Sequence, residues 1–179
     1  MIVEEKTLSS QRIYEGTILN LRKDKVTVRE GRTSYREIVE HNGGVAIAAI
    51  TDQGRIVMVK QFRKAAESVV LEVPAGKIDP GEGHRITAIR ELKEETGYTA
   101  ANMEHIYEFY SSIGYSTEVI HLYLATDLTP GMTDFDENEE IEILEFTVDE
   151  LLEMMKDGRI VDAKTIVAIQ MIKLRQIEC

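Results

Sequence analysis

Residues 69–97 constrain this chain more than any other stretch, because they admit one local architecture. Val69-Val70-Leu71-Glu72-Val73 is β-branched and apolar, and Pro74, which has no amide hydrogen, stops it. Glycines at 76, 81 and 83 permit a tight loop. Residues 84–96 have helical character, with Ile86, Ile89 and Leu92 expected to form an apolar stripe and Gly97 supplying the stop. The expected order is therefore strand, loop, helix. On that helix Glu91 and Glu95 lie about 40° apart, and Glu94 about 60° to the other side of Glu91. Like charges so placed destabilise an isolated helix by a few tenths of a kcal/mol per pair. A hard cation such as Mg²⁺, held by few carboxylates and by phosphates, would neutralise them. So would Arg90 and Lys93 on a solvated face. The carboxylates alone favour the solvated face.

The remaining chain sets the frame. Its 179 residues suffice for one sizeable domain, or a core domain with an extension. An apolar fraction of 43% is that of an ordinary globular protein. No apolar run approaches the ~20 residues that cross a bilayer, so no membrane role is expected. Met1-Ile2-Val3-Glu4-Glu5-Lys6 lacks the features of a signal peptide, and one cysteine, Cys179, allows no internal disulfide. The expected location is cytoplasmic. A net charge of −11 argues against nucleic-acid partners. It suits an anionic substrate only if metal stands between carboxylate and phosphate.

Residues 1–42 read as a β-rich lead segment, with strand-like Ile18-Leu19-Asn20-Leu21, Val26-Thr27-Val28 and Tyr35-Arg36-Glu37-Ile38-Val39. Residues 43–179 read as the main domain. In it, Val45 to Ile50 and Ile56 to Val59 flank a turn at Asp52-Gln53-Gly54 and are expected to pair as a hairpin. Further strands are predicted near 105–110, 118–125 and 140–146. Thr147-Val148-Asp149-Glu150 is a capping box opening a short helix, and Asp162 caps a last one. The fold class is α/β of the α+β type, with mixed layers rather than a doubly wound sheet. The histidines (41, 84, 105 and 121) show no ligand spacing and read as structural.

Spacing turns the carboxylate cluster into something specific. Gly76, Glu82, Arg90-Glu91, Glu94-Glu95 and Gly97, with Leu92 and Tyr98 at the apolar places, reproduce the Nudix signature at every fixed position. Seven such identities coincide by chance on the order of 10⁻⁷ to 10⁻⁸ per start position. The chain thus resembles the Nudix family. That resemblance implies an α/β/α sandwich with a mixed central sheet. It implies Mg²⁺, with Mn²⁺ as substitute, held by Glu91, Glu95, Glu94 and the backbone carbonyl of Ala75. Gly76, Glu82, Arg90 and Gly97 then serve the motif's structure, with Glu82 paired to Arg90.

Outside the box the chain is similar to the ADP-ribose pyrophosphatase group over nearly its whole length. Val59-Lys60-Gln61-Phe62-Arg63 resembles a strand whose arginine holds phosphate, and Leu71-Glu72-Val73-Pro74-Ala75-Gly76 resembles the group's approach to the box. The lead segment resembles strands that cross to a partner subunit, which implies a homodimer. Arg36, Glu37, Arg63 and Glu72 become candidate substrate contacts. Asp136-Glu137-Asn138-Glu139-Glu140 resembles an acidic loop carrying the catalytic base, so Glu137 and Glu139 join Glu95 as catalytic candidates. The implied reaction cleaves the diphosphate of ADP-ribose or a related nucleoside diphosphate sugar, yielding a nucleoside monophosphate and a sugar phosphate. Ser112-Ile113-Gly114, where the group often has proline, and Thr17, in place of an aromatic, depart from the pattern and widen the substrate class. The competing expectations are a catalytically silent Nudix domain that binds a nucleotide as a regulator, and an acidic interaction protein.

Overall fold

The computed structural model describes residues 2–134 and 140–177. They fall into two compact units, residues 1–43 with 110–119, and residues 44–109 with 120–179.

In the first unit β1 (Thr7–Glu15), β2 (Asn20–Thr27) and β3 (Thr33–Glu40) form an antiparallel sheet in that order. Register runs from Asn20↔Glu40 to Thr27↔Thr33 between β2 and β3. Strand β1 is exposed along its whole length, and its sequence TLSSQRIYE carries too little apolar alternation to have been expected as a strand. Ile18 and Leu19, expected within a strand, lie in the turn that precedes β2. The turn is closed by the Gly16 amide donating to the Leu19 carbonyl at 3.1 Å.

The second unit contains β4 (Gly44–Ala49), β5 (Ile56–Arg63), β6 (Ser68–Glu72), β7 (Ala75–Lys77), α1 (His84–Thr96), β8 (Thr99–Tyr110), β9 (Val119–Thr129), β10 (Glu142–Phe146), α2 (Val148–Lys156) and α3 (Ala163–Ile177). One sheet runs β7-β4-β9-β8, with β4 and β9 parallel in register from Gly44↔Ile120 to Ala49↔Ala125. The other runs β10-β5-β6 and is antiparallel. The expected β4–β5 hairpin does not form. The two strands share only the Ile50↔Ile56 bridge, because β7 and β9 already occupy both edges of β4.

Alternation along β4 explains the layers. Ala46 and Ala48 pack with Met58, Leu122, Leu151 and Ile169 on the side of α2 and α3. Val45, Ile47 and Ala49 pack with Val57, Ala88, Leu92 and Tyr123 on the side of α1. This is a helix–sheet–helix arrangement around one mixed and one antiparallel sheet, the expected fold class. The Thr147 capping box forms: its hydroxyl accepts from the Glu150 amide while the Glu150 carboxylate accepts from the Thr147 amide. Asp162 accepts from the Thr165 amide at 3.0 Å at the start of α3.

The packed face of α1 differs from expectation. Ile86 is 63% exposed and Ile89 47% exposed. The buried residues are Thr87, Ala88, Leu92, Glu95 and Thr96. A three-residue repeat drifts about 60° per step around a helix, so the isoleucines wind off the core side. Ala88, Leu92 and Glu95 cluster within about 60° of one another, so Glu95 lies on the core-facing side, with Glu91 beside it and Glu94 turned further toward solvent.

Candidate active site

The loop before α1 and the short strand β7 meet the acidic face of that helix. Gly76 is essential to the approach: a Cβ there would lie 1.9 Å from Cδ of Glu91, so only a glycine leaves room for that carboxylate against β7. The neighbouring Ala75 amide donates to Oε2 of Glu95 at 3.0 Å. Glu95 is 5% exposed, a buried carboxylate at the junction of β7 and α1.

Arg90 organises the rest. Its Nε and Nη2 contact the two oxygens of Glu82 at 3.2 and 3.1 Å, a forked pair. Its Nη1 reaches Glu91 at 2.9 Å and Glu94 at 2.8 Å. Thr87 adds a hydroxyl to Glu82 at 2.9 Å. The hydrogen bond from Arg90 is the main reason the Glu82 pKa lies below the ordinary carboxylate value. The bond to Glu82, ahead of the Glu91 and Glu94 charges, raises that of Arg90 against the opposing effect of burial. One guanidinium thus faces four carboxylates, the fourth being Asp79 at 4.0 Å, with Glu95 beside them. This set of oxygen donors carries excess negative charge and fits a hard divalent cation.

The helix ends where it must. Gly97 adopts φ +74° and its amide donates to the Lys93 carbonyl, while a Cβ would fall 2.7 Å from the Gly131 carbonyl oxygen. Beyond Gly131, the Asp134 amide donates to the Glu94 carbonyl at 3.0 Å. The chain that leads into the acidic loop is thereby anchored on the last turn of α1. Glu137 and Glu139 themselves lie outside the described residues.

Arg63 ends β5 and forks onto Glu72 of β6, Nε to Oε1 at 2.7 Å and Nη2 to Oε2 at 3.1 Å. Glu72 is 2% exposed, and its Oε2 also accepts from Lys164. Burial pushes the Glu72 pKa up, but the Arg63 hydrogen bond and the Lys164 charge outweigh it, and the net shift is downward. Lys164 also pairs with Asp162 at 3.0 Å, and Thr165 links Asp162 to the Val73 amide. Both oxygens of Glu72 are thus taken by Arg63 and Lys164. Arg63 remains partly exposed and feels the charge of Glu95, after the stronger influence of Glu72. The part of Lys164 in this network was not readable from the sequence: 92 positions separate it from Glu72.

Arg36 and Glu37 belong to the first unit. Arg36 forks onto Glu5, with Nε 2.9 Å from Oε2. Glu37 is exposed, opposite Lys23 in the β2–β3 register. Tyr98, at the last place of the box, packs in the α1-side core and donates its hydroxyl to Glu145 at 3.0 Å. Three of the four histidines, which the sequence reads as structural, converge. His84 stacks on His121 with ring centroids 4.2 Å apart, and His105 lies 5.4 Å from His121. No spacing rule would have joined residues on a helix and two strands.

Comparison with known proteins agrees with this geometry. The NUDIX domain model matches residues 40–168. A methanol dehydrogenase activator from Bacillus methanolicus is 44% identical over 177 residues, covering 98% of this chain and 96% of that protein. An ADP-ribose pyrophosphatase from Bacillus subtilis (strain 168) is 43% identical over 176 residues, covering 97% and 95%. The crystal structure of an ADP compounds hydrolase has the same fold, with a TM-score of 0.85 at 21% identity over 97% of this chain and 94% of that one. The glycine that admits Glu91, the arginine that gathers the glutamates and the relatedness along the whole chain lead to one conclusion, that this protein belongs to the Nudix family.

Proposed function

We propose that the protein is a Mg²⁺-dependent pyrophosphohydrolase that cleaves the diphosphate of ADP-ribose or a related nucleoside diphosphate sugar. The observation that carries this reading is the convergence of Glu82, Glu91 and Glu94 on Arg90, with Glu95 held by the Ala75 amide. The near-full-length similarity to an ADP-ribose pyrophosphatase supports the substrate class. Glu91, Glu94, Glu95 and the Ala75 carbonyl would hold Mg²⁺, with Mn²⁺ as substitute. When bound, the cation neutralises diphosphate charge and makes water a stronger acid.

The chain's own groups do the rest. Arg90 sets the rotamers of Glu82, Glu91 and Glu94, so the acidic face is in place before substrate arrives. Arg63, braced by Glu72, donates to a phosphate oxygen and orients the diphosphate. Glu137 or Glu139, delivered by the loop anchored through Asp134, accepts a proton from the attacking water. Water adds to one phosphorus as its bond to the bridging oxygen breaks, and ADP-ribose yields AMP and ribose 5-phosphate. The same reading places Arg36 and Glu37 at the nucleoside and has the chain work in the cytoplasm. It also takes residues 1–42 as a dimerising segment and 43–179 as the catalytic domain, with the exposed apolar residues Leu8, Ile13 and Tyr14 of β1 supporting a homodimer.

The relative named as a methanol dehydrogenase activator favours a second reading, in which the domain regulates a partner enzyme after binding a nucleotide. A hydrolysis screen with Mg²⁺ separates the two. Its substrates are ADP-ribose, ADP-glucose, other nucleotide sugars, NADH and diadenosine compounds, with products identified. Turnover of ADP-ribose or a nucleotide sugar to two monophosphates is expected. Tight binding with no turnover of any compound would favour the regulator.

A further inference from the structure

Strands β8 and β9 are neighbours at one end of the four-stranded sheet, and they bring two imidazoles and a carboxylate to one point. Nδ1 of His121 lies 3.4 Å from Nε2 of His105 and 3.5 Å from Oε2 of Glu108. One ligand atom from each of the three falls within 4.8 Å of the others. At zinc–imidazole distances of about 2.0–2.1 Å, a tetrahedral centre separates its ligand atoms by about 3.3–3.4 Å. Two of the separations here already match that spacing. His105 and Glu108 are exposed, which opens the position to ions from solvent.

Donor chemistry selects the ion. The carboxylate cluster on α1 offers oxygen alone and suits a hard cation, whereas imidazole nitrogens suit borderline transition metals. Two histidines and one carboxylate, with a fourth place open, are a recurrent zinc donor set. Such ligands must be neutral imidazoles. Burial, then the neighbouring His84 and His105, lower the pKa of His121 against an opposing pull from Glu108. His84 stacks within 10° of parallel on His121, and its own Nδ1 is engaged by the Tyr123 hydroxyl, so the His121 ring plane is set from one side. A plain hydrogen bond between His105 and His121 is a poorer account, because 3.4 Å is long for one.

We propose that His105, Glu108 and His121 form a site for one divalent transition-metal ion of the zinc class, built from residues other than those of the Nudix box. Its occupant ties β8 to β9. The test is calorimetric titration of the metal-stripped full chain with Zn²⁺ in excess Mg²⁺. One Zn²⁺ should bind per chain, equally in the wild type and in Glu95→Gln. In His121→Ala and His105→Ala, affinity should fall by at least the roughly 10–100-fold that even an outer partner's loss costs. Co²⁺ in place of Zn²⁺ should show the visible bands of a four-coordinate centre, absent from both variants. His105 is exposed, so its variant keeps the test decisive where loss of His121 disturbs packing. No Zn²⁺ binding to the wild type, binding unchanged in both histidine variants, or binding lost in Glu95→Gln would overturn the proposal.

Discussion

Two carboxylate networks in this protein are built from similar residues and differ in charge balance. Around Glu72, two acids (Glu72 and Asp162) meet two cations, Arg63 and Lys164. Around Arg90, four acids (Asp79, Glu82, Glu91 and Glu94) share one guanidinium, with Glu95 alongside on a backbone amide. The first network is neutral and can be buried, because each charge taken from water meets an opposite one. The second gathers more acids than cations around one guanidinium, an arrangement that a bound cation would relieve. The difference suits the Glu72 network to bracing and the Arg90 cluster to the cation-binding role proposed above.

The comparison can be broken or sharpened in four ways. Glu95→Gln should lower kcat with Mg²⁺ by on the order of 10²-fold or more while circular dichroism stays unchanged; near-normal turnover would remove the proposed metal role. Glu72→Ala should do the reverse in kind. It strands Arg63 and leaves Lys164 with Asp162 alone, and urea unfolding should show a loss of about 3 kcal/mol, the low end for a broken buried pair because both cations keep some solvent. A variant as stable as the wild type would end its description as a brace. Mg²⁺ at ten times its Kd should stabilise the wild type by about 1.4 kcal/mol, a rise of a few degrees in a thermal melt. The rise should be smaller in Glu95→Gln and retained in a folded Glu72→Gln.

The smallest effect is a pH slope. The folded pKa of Glu72 lies below its reference value of 4.5, so its pairing stabilises the fold fully above that pH. That contribution is lost as pH falls through the lowered folded value. Melts of the wild type should therefore fall across this acid window, and Glu72→Gln should flatten part of the fall. An unaltered slope would assign acid sensitivity to other carboxylates, Glu82 first, whose pKa is also lowered.

Legibility followed sequence separation. The helix 84–96, its stop at Gly97, the capping box at Thr147 and the cap at Asp162 were readable, because each rests on residues within one or two turns. The β4–β5 hairpin was misjudged because turn chemistry at Asp52-Gln53-Gly54 reports a reversal but not which strands then pair. The partners of β4 are β7 and, far along the chain, β9. The isoleucine stripe failed for a related reason: periodicity names faces of a helix, and packing decides which face is inside. The β1 strand was hidden by its exposure, since an unburied strand needs no apolar alternation.

By itself the sequence pointed to the reaction class, because the spacing from Gly76 to Tyr98 matches the Nudix signature at every fixed position, whereas helix geometry alone left the carboxylates open to a solvated-face reading. Only the tertiary structure decided what those carboxylates face. Gly76 of β7 makes room for Glu91, the Ala75 amide reaches Glu95, and Lys164 of α3 closes the charge around Glu72. It alone also drew His105 and His121 together across two strands. Such contacts depend on chain folding between distant segments, which no local periodicity encodes.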